Sequence, residues 1–204
     1  MDHLVFAVPD LDAGARHVED LLGVPTSPGG RHPGWGSRNR LVGLGPDRYL
    51  EVVSVDPGQP MPREPRWFGL DRLREPRLVT WCVKSNDLDG VVERGLSAGI
   101  DLGTPMSAGR ARADGTELRW TFTNPGSDRA GGVVPFFIDW GASEHPGRSL
   151  DRACSFVDVR LEHPDPDRVA GWLAALGLDT PIRRGDAPRV IATIETPTGV
   201  VELC

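Results

Sequence analysis

Strand-like and helix-like patterns alternate along this chain in a repeated order. Residues 2–8 are mostly apolar and β-rich, which predicts a first strand bounded by Pro9-Asp10. The next stretch predicts a helix that ends at Gly23, because apolar residues recur at helical spacing at Leu11, Ala15, Val18 and Leu22. A Gly/Pro-rich stretch, 28–36, is expected to be a loop. Two strands, 40–44 and 48–55, then close the unit around a hairpin turn at 45–47.

The same order of elements occurs twice more. The second copy has strand 78–83, helix 87–98, a short strand or turn near 109–113, and strands 117–123 and 134–140. The third has strand 154–161, a helix after Pro164-Asp165, and strands 189–195 and 199–203. We therefore predict an α+β fold with a first βαβββ module at 1–56, a connector at 57–77, a second module at 78–142, and a third, partial βαββ module at 150–204 packed on the others.

Aligning the copies places polar residues in matching strand positions. Asp10 or Asp12 is expected to cap the first predicted helix. Matching Asp10 with Asp87, which begins the second predicted helix, gives an offset of 77 (87 − 10) and places His3 on Thr80. The closing strands align at an offset of 88 (139 − 51), which places Glu51 on Asp139. Because side chains alternate along a strand, His3 and Glu51 can meet on one face of the sheet. Asp139 would join them if the second module folds equivalently.

Composition excludes several classes of function. The chain has 204 residues, a net charge of −6 and a pI near 5.4, which argue against a nucleic-acid binder. It lacks a signal-peptide pattern and an apolar run long enough to span a bilayer. Its three cysteines are too scattered for a disulfide framework or a thiolate zinc site. We expect a cytoplasmic protein without a membrane partner.

Several separate segments carry a resemblance to a known family. They are Asp2-His3-Leu4-Val5, Gly29-Gly30, His32-Pro33-Gly34, Ser37, Asn39-Arg40-Leu41, Tyr49-Leu50-Glu51, Asp114-Gly115, Leu118, Trp120, Pro135-Phe136-Phe137-Ile138 and Trp140. In these the chain resembles the vicinal oxygen chelate superfamily, which includes glyoxalase, ring-cleaving dioxygenases and fosfomycin-resistance proteins, and more narrowly its glyoxalase-like domain proteins. The resemblance covers residues 2–145 well and the rest as a weaker third copy.

The resemblance implies that the βαβββ modules form curled mixed sheets around a cavity, with metal ligands on the first and last strands of each module. The ligand slots then hold His3, Glu51, Thr80 and Asp139. One imidazole and two carboxylates, from His3, Glu51 and Asp139, suit Zn, Ni, Mn or Fe as a divalent ion. Thr80 departs from the family, because a neutral hydroxyl is a poor ligand. The alternative is that His3 only hydrogen-bonds Glu51 or backbone across the sheet.

Other residues are candidates for catalysis and substrate binding. Glu51 or His32 would move a proton, with His32 reaching the cavity from its loop. The candidates for contact with substrate are Asn39, Arg112, Trp120 and Trp140. Each has a structural alternative: a turn position for His32 and Asn39, a hairpin flank for Arg112, and core packing for the tryptophans. His145, which precedes a proline in a predicted linker, is expected to face solvent.

Two functions follow from these expectations. The first is a divalent-metal-dependent enzyme of the lyase or isomerase type, acting on a small oxygenated organic molecule. A dioxygenase is disfavoured, because it needs two imidazoles and Thr80 removes one. The second is a metal-free protein of the same fold that binds or sequesters a small molecule, and a catalytically silent scaffold is a third reading. Pairing of the first two modules within one chain allows a monomer, and a homodimer stays open.

Overall fold

The computed structural model describes residues 1–111 and 117–204. The first module consists of one helix and four strands: β1 (His3–Ala7), α1 (Leu11–Leu22), β2 (Ser27–His32), β3 (Ser37–Gly43) and β4 (Tyr49–Val55). The carboxylate of Asp10 caps α1 by accepting a hydrogen bond from the Ala13 N–H at 2.8 Å. The helix therefore begins where its first aspartate predicts.

The second and third modules follow a connector that contains a short 3-10 segment, Trp67–Arg72. The second module comprises β5 (Arg77–Lys84), α2 (Leu88–Ser97), β6 (Met106–Ala111), β7 (Glu117–Phe122) and β8 (Phe136–Asp139). The third comprises β9 (Ser155–His163), α3 (Pro166–Ala175), β10 (Ile182–Arg184), β11 (Arg189–Thr196) and β12 (Gly199–Leu203). Asp87 and Asp165 cap α2 and α3 as Asp10 caps α1. No helix in the part of the chain that the structure describes is long and apolar enough to cross a membrane.

The first two modules build one mixed sheet of eight strands. Its order is β2-β3-β4-β1-β5-β8-β7-β6, and the antiparallel β1–β5 pair joins the modules at the centre. The sheet curls until its two edge strands approach each other, where Arg110 of β6 donates a hydrogen bond to the Gly29 carbonyl of β2 at 3.3 Å. The predicted α+β fold with a curled sheet around a cavity is confirmed.

Two groups of buried apolar side chains line the two faces of this sheet. On the convex face, Leu4 and Phe6 of β1 pack with the helices and with the sheet of the third module. On the concave face, Val5 and Ala7 of β1 lie with residues such as Phe122 and Ile138 from the second module. The alternation along β1 thus assigns one set of its side chains to each core, and His3 belongs to the concave set.

One local expectation differs from the structure. The stretch 28–36 is not all loop, because residues up to His32 form the edge strand β2, paired antiparallel with β3. Pro28 is tolerated there since an edge strand need not donate all its N–H groups. The third module forms its own sheet, β10-β9-β11-β12, in which β9 pairs with β10 and β11. In the first module, by contrast, β1 pairs in parallel with the last strand, β4.

Candidate functional site

A small cavity of about 70 Å³ lies inside the curled sheet. Its walls are mostly aromatic and aliphatic, and its polar side chains are concentrated at one end. The polar lining residues are His3, His32, Asn39, Tyr49, Glu51 and Arg110, and the aromatic ones include Trp35, Trp67, Phe68, Trp120, Phe122, Phe136 and Trp140. A cavity of this volume holds a few water-sized groups, and its chemistry is set by the polar end.

Glu51 on β4 is the carboxylate of the cavity, and Asn39 on β3 holds it. The Asn39 amide donates to Glu51 Oε1 at 2.6 Å and to His32 Nε2 at 3.3 Å. The orientation of this amide is fixed because its oxygen accepts the Gly30 N–H at 2.7 Å. Gly29 permits this approach, since a Cβ there would lie 2.1 Å from Asn39 Oδ1. Asn39 therefore positions the carboxylate and does not project freely into the cavity.

His32, at the end of β2, approaches the same Glu51 oxygen that Asn39 binds, Oε1. Its Nε2 is 3.8 Å from that oxygen, and its Nδ1 is 2.8 Å from Ser37 Oγ. Since Nε2 accepts from Asn39, the ring proton belongs on Nδ1. Burial lowers the pKa of His32, and the charge of Arg110 lowers it further against the opposing effect of Glu51. The imidazole is therefore neutral near pH 7 and has a basic nitrogen facing Glu51.

His3 faces Glu51 from β1, and its neighbour Asp2 orients it. Its Nδ1 donates to Asp2 Oδ1 at 2.6 Å, and its Nε2 lies 4.0 Å from Glu51 Oε2. The ring also stacks on Tyr49 at a centroid distance of 4.6 Å. A histidine whose far nitrogen binds a carboxylate presents its other nitrogen as a lone pair, the usual state of a metal-ligating imidazole.

Asp2 is itself held by two further donors. Its Oδ2 accepts from Trp140 Nε1 at 2.9 Å and from His145 Nε2 at 3.2 Å. The His145 tautomer is fixed because its Nδ1 accepts the Gly147 N–H at 3.0 Å. Burial would raise the pKa of Asp2, but the hydrogen bonds from His145 and His3 outweigh burial and hold that pKa far below its usual value. Asp2 is thus a fixed anion behind His3.

The donor set can be tested for its fit to a divalent ion. Within residues 1–111 and 117–204, the one group of three potential ligands whose atoms lie within 4.8 Å of one another is Asp2, His3 and Cys82. This group is poor, because Asp2 already accepts three hydrogen bonds and burial raises the pKa of the Cys82 thiol well above its usual value. His3 Nε2 and Glu51 Oε2 fit better, since they lie 4.0 Å apart at the cavity and neither accepts a hydrogen bond from another described residue.

Comparison with protein families decides the identity of the fold. A family model described as a glyoxalase-like domain matches residues 1–177. The chain belongs to this family, within the vicinal oxygen chelate superfamily. Among curated proteins, no match is found.

One solved structure shares the fold over nearly the whole chain. A hypothetical protein from Staphylococcus aureus has a TM-score of 0.70 at 16% identity, with 98% of this chain and 97% of that chain covered. Methylmalonyl-CoA epimerase from Mycobacterium tuberculosis has a TM-score of 0.44 at 23% identity, over 69% of this chain and 87% of that chain. The Streptomyces coelicolor epimerase, solved with 2-nitronate-propionyl-CoA, has a TM-score of 0.46 at 21% identity, over 72% and 97%. Of these three likenesses, the one to the Staphylococcus aureus protein supports the shared fold.

The glyoxalase-like domain does not place Asp139 in the cavity. Its side chain accepts the Gly141 N–H at 2.8 Å and lines a separate surface depression, whereas Phe136, Ile138 and Trp140 face the cavity. The pairing registers explain the error. Val5 of β1 pairs with Glu51, and Cys82 of β5, which matches Val5 at the offset of 77, pairs with Phe136. Glu51 thus corresponds to Phe136, an offset of 85 (136 − 51). The expected offset of 88 differs by an odd number, which reverses the face.

The remaining predicted residues divide into three groups. Trp120 and Trp140 both line the cavity, with ring centroids 5.6 Å apart. Thr80 is on the concave side but donates to the Gly132 carbonyl at 2.9 Å and does not face Glu51. Arg112, like the Asp114-Gly115 pair, lies outside the described residues.

Sequence reasoning missed several residues of this site, among them Arg110, which lines the cavity, and Asp2 and His145, which lie behind His3. His145 is buried, not solvent-facing as expected, and reaches Asp2 across most of the chain length. Asp2 was noticed only as part of a matching segment. Its position next to a cavity histidine at the start of a strand is a signal that could have singled it out, whereas nothing local to His145 reveals its partner.

Proposed function

We propose that this chain is a divalent-metal-dependent enzyme of the lyase or isomerase type that acts on a small oxygenated organic molecule. The observation that carries the proposal is the alignment of His3 between two carboxylates. Asp2 accepts a hydrogen bond from the His3 Nδ1–H at 2.6 Å, which leaves Nε2 facing Glu51 Oε2 at 4.0 Å inside an otherwise apolar cavity. Charged groups are costly to bury in such surroundings unless they serve a ligand or partner.

The residues divide the chemistry between them. His3 and Glu51 would hold the ion, which when bound supplies Lewis acidity toward adjacent substrate oxygens. Asn39 keeps the Glu51 carboxylate in one orientation through its 2.6 Å hydrogen bond. His32, kept neutral by burial, is the group that takes up and returns a proton through Nε2. The aromatic walls exclude water and contact the carbon skeleton of the substrate.

A metal-free binding protein is the second candidate. It is favoured by the hydrogen bond from Asn39 to Glu51, which satisfies one carboxylate oxygen without an ion. The tryptophan-rich walls, including Trp120 and Trp140, would then hold a small molecule by packing alone. In that case a chelator would change neither the melting temperature nor ligand affinity.

Metal analysis of the purified chain separates the two candidates. We expect the protein, reconstituted with Mn²⁺, Fe²⁺, Ni²⁺ or Zn²⁺ and then dialysed, to retain about one ion per chain for at least one metal and to melt at a higher temperature than after EDTA treatment. His3→Ala should weaken the affinity for that metal at least tenfold. His17→Ala is the matched control, because His17 is exposed on α1. Retention well below one ion per chain for all four metals would reject the enzyme proposal.

A further inference from the structure

A buried arginine lies on the second-module side of the same fold. Arg129 is 5% exposed, and its guanidinium lies over the Phe136 ring at 5.5 Å. None of the ion pairs among the described residues includes it. No carboxylate of the described residues lies within ion-pair distance of this buried cation, and the charge of the neighbouring Asp128 only partly offsets the effect of burial on its pKa.

Neutral oxygens hold this guanidinium in place. Nη1 donates to Thr80 Oγ1 at 3.0 Å and to the Val134 carbonyl at 3.1 Å, and Nη2 donates to the Pro125 carbonyl at 2.9 Å. Nε is buried and has no hydrogen-bond partner. A guanidinium has five N–H groups, so these three contacts fix its position and leave two unused: the Nε–H, which is enclosed by protein, and the second N–H of Nη2.

The loop around Arg129 is built to bury it. Gly132 has φ +95, and a Cβ there would lie 1.9 Å from the Val79 carbonyl, so the loop can close on β5 only with glycine at this position. Burial lowers the pKa of Arg129 to about 10, which still leaves it protonated at neutral pH. An unpaired buried charge is costly, and such charges are usually paired or bound to a ligand.

A second cavity of about 550 Å³ adjoins this residue. It shares Trp35, Trp67, Phe68 and Pro125 with the cavity that contains Glu51, so the two are separated by one layer of side chains. Its charged lining residues are three arginines, Arg66, Arg77 and Arg129, against one glutamate, Glu64. Arg66 is paired with Asp71, whereas Arg77 is exposed at the rim.

We propose that this outer cavity binds the carboxylate of a small organic ligand, with Arg129 as its counter-ion. A carboxylate would balance the guanidinium charge and would accept the second N–H of Nη2, which no described residue accepts. The aromatic side chains of Trp67 and Phe68 then contact the organic part of the ligand. This proposal does not depend on a metal at His3 and Glu51.

Calorimetric titration of the metal-free, EDTA-treated protein tests the site. Propionate, added at constant ionic strength, is expected to bind saturably with millimolar affinity and to raise the melting temperature. Arg129→Lys should weaken this affinity at least tenfold, because a lysine keeps the charge but loses the fork. Arg16→Lys is the matched control, because Arg16 is exposed on α1 and does not line this cavity, and it should change the affinity less than twofold. Glu51→Gln should lose metal affinity but keep propionate binding, which separates this proposal from the metal-dependent function.

Inorganic phosphate, titrated alongside, distinguishes a free anion from an organic one. Tighter binding of phosphate than of propionate at the Arg129-dependent site would overturn the carboxylate assignment. Absence of saturable propionate binding to the unmodified protein, or equal affinity in folded Arg129→Lys, would overturn the site itself. If Arg129→Lys does not fold, the unmodified protein still provides a test. Propionate must shift one arginine Nε–H resonance in the NMR spectrum with the affinity found by calorimetry, and a spectrum without that shift refutes the proposal.

Discussion

The first and second modules place the same elements around the central β1–β5 pair but fill matching positions with different chemistry. Asp10 and Asp87 cap equivalent helices, and β1–β4 and β5–β8 are both parallel pairs. In the first module the cavity positions are His3 and Glu51. In the second module, the helix offset matches His3 with Thr80, and the strand registers match Glu51 with Phe136.

The difference shows what duplication of this fold preserves. Caps, turns and alternating apolar faces are required in both modules, because each must cover the same curled sheet. Polar cavity residues are not required for folding, so they can diverge. Phe136 illustrates the result, since its ring contacts His3 edge-on at 5.4 Å and supports Arg129 at 5.5 Å. One aromatic side chain thus separates an acid–imidazole cluster from a buried cation.

The largest expected effect of a single substitution is at Asp2, which links the modules through His3 on one side and Trp140 and His145 on the other. Asp2→Asn replaces an acceptor of three hydrogen bonds with a group that is itself a donor. We expect a loss of about 2–4 kcal/mol in the free energy of unfolding, measured in urea at pH 7. A loss indistinguishable from that of Asp12→Asn, which removes an exposed partner of Arg38, would contradict the linking role.

The effect of Asp2→Asn should also depend on pH. The folded-state pKa of Asp2 is lowered, so its contribution to stability is fully present above the unfolded value of about 3.9 and declines as pH falls toward the folded value. The unmodified protein and Asp2→Asn should therefore approach each other in stability below about pH 4. A difference that stays constant from pH 7 to pH 3 would show that Asp2 acts through packing and not through its charge.

Sequence patterns predict this fold well where the physical cause is local. Aspartates before apolar helical repeats cap α1, α2 and α3, and apolar alternation gives the central strands. The edge strand β2 escapes prediction, because Ser27–His32 is rich in proline and glycine and pairs on one side only. Its structure comes from pairing with β3 and from the closing sheet edge, which no local propensity reveals.

The site is less predictable, because it depends on register and on long-range contacts. His3, His32, Asn39 and Glu51 lie together as residues of one module whose strands follow each other closely. The prediction that Asp139 lies in the cavity fails, because an alignment error of three residues reverses the face of the strand on which it is placed. The prediction that His145 faces solvent fails, because its burial results from contacts with Asp2 and Tyr49, which are distant in sequence.

A smaller effect is expected at Thr80, the counterpart of His3. Thr80→Val keeps the shape of the side chain but removes the hydroxyl that accepts from Arg129 and donates to Gly132. We expect a loss of about 1–2 kcal/mol in the free energy of unfolding, because a buried N–H then lacks its acceptor. Metal affinity at His3 should not change, and a tenfold loss of it would mean that the two polar clusters are coupled across Phe136.

The smallest expected effect is at Asp139, and it tests the registers on which the comparison of modules depends. Its side chain is half-buried, bonds only the nearby Gly141 N–H among the hydrogen bonds of the described residues, and faces away from Glu51. Asp139→Asn keeps an oxygen for that bond, so stability should change by less than about 0.5 kcal/mol. Affinity for the retained divalent ion, measured by calorimetry, should stay within twofold, while Glu51→Gln lowers it at least tenfold. Equal losses in the two variants would mean that Asp139 and Glu51 serve one ion, and the equivalence of Glu51 with Phe136 would then be wrong.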